Sequence, residues 1–223
     1  MKILIATSNP HKLDEIRAVI DDPTVELVSL DALPGGQKID EPVEDQDTFE
    51  GNAILKARYY AKASGMLCLA DDSGLEVDAL NGEPGIRSAR YSNTDGPRAD
   101  RDAANSLALM NNLVDTPIEK RTARFVCAMA LFDGRQSGGG GAPLAVVRGT
   151  LEGRILTIDE TDDPTHPQRG RGSNGFGYDP IVFVPDLNKT VAQLTADEKN
   201  AISHRGDAVR QMWKKVRGMF HAT

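Results

Sequence analysis

Two adjacent carboxylates, Asp71 and Asp72, follow the apolar run Met66-Leu67-Cys68-Leu69-Ala70 and precede Ser73-Gly74. The run reads as a buried strand. Ser-Gly after two acids predicts a turn, because Asp and Ser satisfy their own backbone locally. The acids then lie at the rim of a sheet, where open α/β sheets bind ligands. Neighbouring carboxylates repel unless a cation or hydrogen-bond donors compensate. A hard divalent cation such as magnesium (Mg2+), which takes oxygen ligands and keeps several waters, suits such a pair. The plainer alternative is a solvated turn.

Three further blocks carry chemistry. Thr7-Ser8-Asn9-Pro10-His11-Lys12 reads as a strand-to-helix junction. Backbone N–H groups and the macrodipole at a helix start attract phosphate, and Ser8, Asn9 and Lys12 would reinforce the attraction. The alternative is simple capping by Ser8 or Asn9 with Lys12 exposed. Gly175-Phe176-Gly177-Tyr178-Asp179-Pro180 sets glycines around two aromatics. This permits close backbone approach to a ligand and offers ring faces to a base; alternatively, the rings cover the core. Lys199-Asn200-Ala201-Ile202-Ser203-His204-Arg205-Gly206 brings two permanent cations and an imidazole within two turns. A lysine there can neutralise phosphate, and an arginine can offer its planar fork to a carbonyl. Glu44 lies in an acidic loop beside Glu41 and Asp45.

The whole chain must position these groups. Its 223 residues, 39% hydrophobic, suffice for one domain with a sizeable core. A net charge of -7 argues against nonspecific attraction to nucleic acid or an anionic membrane. An anionic substrate therefore needs a local basic pocket or a metal. Cys68 and Cys127 sit in apolar runs and read as small buried hydrophobes rather than a disulfide or metal pair. No apolar stretch approaches the roughly 18 residues that span a bilayer, and the apolar start is too short for a signal peptide. A cytoplasmic protein is expected.

Strands are predicted over 2–7, 25–29, 66–70, 75–80, 123–132, 143–151 and 181–184. Helices are predicted from Pro10 with Asn9 as N-cap, over 48–64 and 97–113, and unbroken over 199–220 with Trp213 in the core. The loop 31–47 carries Pro34-Gly35-Gly36, and 137–141 reads as a plain glycine connector joining an antiparallel pair. The stretch 159–172 reads as an exposed excursion. The pattern is α/β, a mixed sheet flanked by helices.

Taken together, the blocks resemble the Ham1/inosine triphosphate pyrophosphatase family over nearly the whole chain. The most specific are Thr48-Phe49 with Asn52-Ala53 and Lys56-Ala57, Leu69-Ala70-Asp71-Asp72-Ser73-Gly74-Leu75, Pro84-Gly85 with Ser88-Ala89-Arg90-Tyr91, the 175–180 block, and Glu198-Lys199 with Ser203-His204-Arg205-Gly206. The resemblance implies one such domain over 1–223: an elongated, two-lobed α/β subunit with a central mixed sheet and an active-site cleft between lobes, commonly a homodimer. It implies magnesium-dependent hydrolysis of ITP, dITP and XTP to the monophosphate and pyrophosphate, cleansing the nucleotide pool. Carried over by position, Thr7, Ser8, Asn9, Pro10, His11 and Lys12 would hold phosphates. Asp72 would be proton acceptor and metal ligand, with Glu44 the second ligand. Ser73 would touch substrate; Phe176, Gly177, Tyr178 and Asp179 would pack on base and sugar. Lys199 would meet phosphate, and His204 with Arg205 the base edge.

The chain departs from the family pattern in a long stretch over 153–172 and in Ser8, where glycine is frequent. A Maf-like pyrophosphatase of other base preference and a non-enzymatic nucleotide sensor are the alternatives. The 175–180 and Ser203-His204-Arg205 blocks favour the first reading over a Maf-like enzyme. Retention of Asp71, Asp72 and Lys199 disfavours a sensor.

Overall fold

The computed structural model describes residues 1–33, 38–135 and 141–220. Positions 34–37 and 136–140, which hold Pro34-Gly35-Gly36 and most of the glycine connector, lie outside the described residues. The sheet has seven strands in the order β2-β1-β3-β4-β5-β6-β7. These are β1 Lys2–Ile5, β2 Glu26–Ser29, β3 Leu67–Val77, β4 Thr122–Asp133, β5 Ala145–Ile155, β6 Val182–Val184 and β7 Lys189–Thr190. β1 pairs in parallel with β2 and β3, whereas β6 runs antiparallel to both β5 and β7, so the sheet is mixed.

The chain divides into two compact units, each discontinuous in sequence. The first comprises 1–72, 127–149 and 203–223. It holds helices α1 (Pro10–Val19), α2 (Phe49–Ser64) and α5 (His204–Phe220). Asn9 caps α1, its side chain accepting from the His11 N–H, and Pro10 occupies the first turn, where no intrahelical donor is needed. Thr48 caps α2 through the Gly51 N–H, and Gly65 closes that helix in the left-handed conformation. α1 and α5 pack together. The unit's core joins Ile3, Ile5, Leu67, Leu69, Met129 and Leu131 to Val209, Met212, Trp213 and Val216. Cys68 and Cys127 are free and buried, as expected of small apolar side chains.

The second unit comprises 73–126 and 150–202 and holds α3 (Arg98–Asn112) and α4 (Ala196–Ile202). Its core gathers Leu75, Val77, Leu109, Met110, Phe125, Ile155, Tyr178 and Val182.

Two expectations are corrected and a third is refined. Asp71-Asp72-Ser73-Gly74 forms no turn: β3 runs through it without a break from Leu67 to Val77. Its pairing to β1 ends at Leu69, and its far end pairs with the 83–84 segment, since Val77 N–H donates to Glu83 O and Glu76 bridges Pro84. The acids therefore sit at the end of β1, not of their own strand. The last helix is two helices, because Ser203 starts α5 as a cap. Its Oγ accepts from the Gly206 N–H at 3.0 Å and its carbonyl from the Asp207 N–H. The stretch 159–172 is an exposed excursion over 164–166, as expected, but it is tied down at its base. Asp162 N–H donates to Gly170 O, Arg171 N–H to Pro180 O, and Thr161 is buried. The one-turn helix Pro167–Arg169 packs on α3.

Candidate active site

In the first unit the strand-to-helix junction after β1 is built from local hydrogen bonds. Thr7 Oγ1 accepts from the Asn9 N–H at 3.2 Å, and Asn9 Oδ1 accepts from the His11 N–H at 3.1 Å. Ser8 Oγ donates to Glu41 Oε1 at 2.6 Å, linking the junction to the acidic loop. Lys12, one turn into α1, reaches back to β3, its Nζ 2.7 Å from Asp71 Oδ2. Asn9 thus does cap α1, while Lys12 is drawn inward rather than left exposed.

Asp71 is fully buried. Burial pushes its carboxyl up, but Lys12, Arg205 and Lys56 together outweigh that and hold it well below the usual carboxylate range. Arg205 is 1% exposed, paired with Glu15 and 3.8 Å from Asp71 Oδ2. The structure therefore places this guanidinium in the interior of the first unit, and His204 beside it is also buried. Gly149 on β5 makes room for the backbone of the first turn of α5, which carries both. A side chain there would put its Cβ 2.2 Å from the His204 carbonyl oxygen and 2.6 Å from the Ala208 nitrogen.

Asp72 has a different environment. Its Oδ2 accepts from Asn52 Nδ2 at 3.1 Å, and its Oδ1 lies 3.3 Å from Lys56 Nζ. Lys56 also stands 3.3 Å from Glu44 Oε1. Burial raises the Asp72 carboxyl most, the Glu44 charge adds to this, and Lys56, Lys12 and the Asn52 hydrogen bond only partly offset it. The net result is a carboxyl above its ordinary range, the state that suits a proton acceptor. The Lys56 ammonium is itself raised, because Asp72, Asp71 and Glu44 outweigh its burial.

Among the described residues no set of three or more His, Cys, Asp or Glu side chains converges to hold a metal. Asp72 and Glu44 nonetheless share one ammonium. A pair of carboxylates fits a magnesium ion that completes its shell with water and substrate phosphate. Zinc, which prefers nitrogen and sulfur donors, does not suit this pair.

In the second unit the 175–180 block folds into a turn pinned by Asp179. Its Oδ2 accepts from the Phe176 N–H at 2.9 Å and from Lys199 Nζ at 2.8 Å. Gly175, at φ +80°, is required here, since a Cβ would meet Asp179 Oδ2 at 2.0 Å. The Lys199 ammonium also lies 4.8 Å from the centre of the Phe176 ring. Tyr178 is buried and donates from its hydroxyl to Ser88 O at 2.8 Å, and burial raises its phenol. Ser88 Oγ accepts in turn from the Leu75 N–H, so the 84–91 block braces both β3 and the turn. Ser73 is half-buried on β3.

In the first unit Lys12 thus meets Asp71 while Lys56 links Asp72 to Glu44, and in the second Asp179 holds Lys199 and the turn of Phe176 and Gly177 together. Asn52 and Lys56, which the sequence pattern names only as parts of a matching block, and Glu15 have no role assigned from sequence. Asn52 and Lys56 were accessible: they stand four apart on α2, hence on one face, and Asn52 interrupts an apolar stripe. Glu15 carried no comparable signal.

A family model described as the Ham1 family matches residues 3–215. The chain is 43% identical over 215 residues to a protein of Exiguobacterium sibiricum named dITP/XTP pyrophosphatase, covering 95% of each. Among solved structures it resembles a HAM1 protein from Coxiella burnetii, with a TM-score of 0.80 and 34% identity over 98% of this chain and 99% of that one. It also resembles the Staphylococcus aureus Ham1 protein, with a TM-score of 0.75 and 38% identity over 98% of this chain and 100% of that one.

Proposed function

Because the chain belongs to the Ham1 family, we propose that it is a hydrolase converting ITP, dITP and XTP to the monophosphate and pyrophosphate. The family match over residues 3–215 carries this reading. The geometry agrees with it: Asp71 lies 2.7 Å from Lys12 as a buried counter-charge, while Asp72 and Glu44 both stand 3.3 Å from Lys56.

In the proposed reaction Asp72 accepts a proton from water as its oxygen attacks the phosphorus next to the sugar. The new P–O bond forms as the bond to the leaving pyrophosphate breaks. Asn52 fixes one oxygen of Asp72, and Lys56 keeps the carboxyl from rising further. Lys12 and Lys56 would neutralise phosphate charge, and the family resemblance gives Lys199 the same role. Asp72 and Glu44 would hold magnesium, which when bound supplies neutralisation of phosphate oxygens. Phe176 gives the base an aromatic face. A donor aimed at a 6-carbonyl is satisfied by hypoxanthine or xanthine and left unpaired by the 6-amino group of adenine, which sites of this kind reject strongly.

Magnesium dependence, a homodimer, and cytoplasmic cleansing of the nucleotide pool belong to the same reading and follow from the family resemblance. No helix among the described residues is long and apolar enough to cross a membrane. The test is incubation with ITP, dITP, XTP, ATP, GTP and dTTP, with and without magnesium, identifying the phosphorus products. Monophosphate plus pyrophosphate from ITP, dITP and XTP, with magnesium only, is expected. Orthophosphate release, preference for pyrimidines, or binding without turnover would each overturn the reading.

A further inference from the structure

The turn that carries Phe176 is pinned at two points, and only one belongs to the motif that marks it. On one side Asp179 accepts from the Phe176 N–H and holds Lys199 near the ring. On the other, Asp102 Oδ2 accepts from the Gly177 N–H at 3.0 Å. The same Asp102 oxygen pairs with Arg98 Nε at 3.6 Å, one helical turn away on α3. The Arg98 guanidinium carbon lies 4.6 Å from the Phe176 ring centre. Two carboxylate–cation pairs thus repeat one arrangement: each acid holds a backbone N–H of the turn, and each cation addresses the same ring.

We propose that Arg98 and Asp102 are positioning residues of the nucleobase site. Asp102 fixes the turn and the arginine, and Arg98 holds the Phe176 ring in the orientation the base meets. The proposal rests on the functional reading above, in which Phe176 receives the base. Arginine suits the role because its planar, weakly hydrated cation stacks on aromatic faces, whereas lysine acts as a point charge. The α3 pair acts on the base and not on the phosphates, so its loss weakens nucleotide binding and leaves pyrophosphate recognition intact.

The test is steady-state kinetics with ITP, alongside inhibition by inorganic pyrophosphate and a melting curve for each variant. In Arg98→Ala the KM for ITP should rise about threefold to tenfold with kcat held within about twofold, the range expected when a ring contact of this kind is lost. Pyrophosphate inhibition should not change. Asp102→Asn keeps an acceptor for the Gly177 N–H but drops the charge that holds Arg98, so it should reproduce the KM effect. The double variant should add little, because the two act as one unit. Arg98→Lys should recover part of the loss. An unchanged KM in Arg98→Ala overturns the proposal while leaving the functional reading intact. Parallel weakening of ITP and pyrophosphate also overturns it, by showing a general structural effect. A wild-type protein that hydrolyses no purine triphosphate overturns the functional reading, and this proposal with it.

Discussion

Asp71 and Asp72, consecutive on β3, present their carboxyls to different cations: Asp71 to Lys12 at 2.7 Å and Asp72 to Lys56 at 3.3 Å. Successive side chains of a strand point to opposite faces, so one strand can carry a structural and a chemical acid side by side. Asp72→Asn should therefore lower kcat by about 100-fold or more, the usual worth of a general base, with little change in melting temperature. Asp71→Asn should do the reverse in stability. It leaves Lys12 and Arg205 short of a buried counter-charge, a loss of about 3 kcal/mol, visible in a denaturant titration. Near-normal turnover in Asp72→Asn would sink the assignment.

Lys56, more than Lys12, limits the rise of the Asp72 carboxyl. Replacing it with Met should move that carboxyl further up, so the acid limb of the activity profile should shift to higher pH. The sign follows because the carboxylate must be ionised to accept a proton. The KM for triphosphate should rise about tenfold as one phosphate-facing charge is lost. A profile unmoved on the acid side would separate Asp72 from catalysis.

Local rules read well where the chemistry is local. The Asn9-Pro10 and Thr48 starts of α1 and α2 follow from capping, which involves residues two or three apart. The course of β3 was illegible for the opposite reason. Asp-Asp-Ser-Gly favours a turn by itself, and what overrides it comes from Lys12, Asn52 and Lys56, distant in sequence. The break at Ser203 was hidden because 199–220 keeps a helical apolar period through it. Of the candidate site, residue types at the two clusters were legible. The interior pairing of Arg205 with Glu15 was not, since a guanidinium reads the same whether it meets a ligand or a buried acid.

Gly175 offers a test of the turn itself. Gly175→Ala would place a methyl 2.0 Å from Asp179 Oδ2 at a φ of +80°. Asp179 must then release either the Phe176 N–H or Lys199. A loss of about 1–3 kcal/mol from backbone strain is expected, together with a raised KM for ITP. The melting temperature and KM should move together here, unlike in Arg98→Ala. Wild-type values for both would show that Asp179 does not pin the turn.

Glu160 ties down the long 153–172 stretch. It accepts both guanidinium nitrogens of Arg154, at 2.7 and 2.5 Å, and the Thr157 N–H at 2.9 Å. The Arg154 hydrogen bonds, more than any other contact, pull its carboxyl down to about 2 from 4.5. A carboxyl lowered in the folded state stabilises fully above its unfolded value, and that contribution fades as pH falls toward the folded one. Stability from this group should hold above about pH 5 and decline between roughly 4.5 and 2. Glu160→Gln should cost about 1–2 kcal/mol at neutral pH, allowing for the partial exposure of both partners, and should flatten the acid slope of the unfolding free energy. Denaturant titrations of both proteins at pH 7, 4 and 3 read this directly. Equal slopes would mean that the Arg154 pair exists but carries no net stability, and that packing of Pro167–Arg169 on α3 holds the stretch instead.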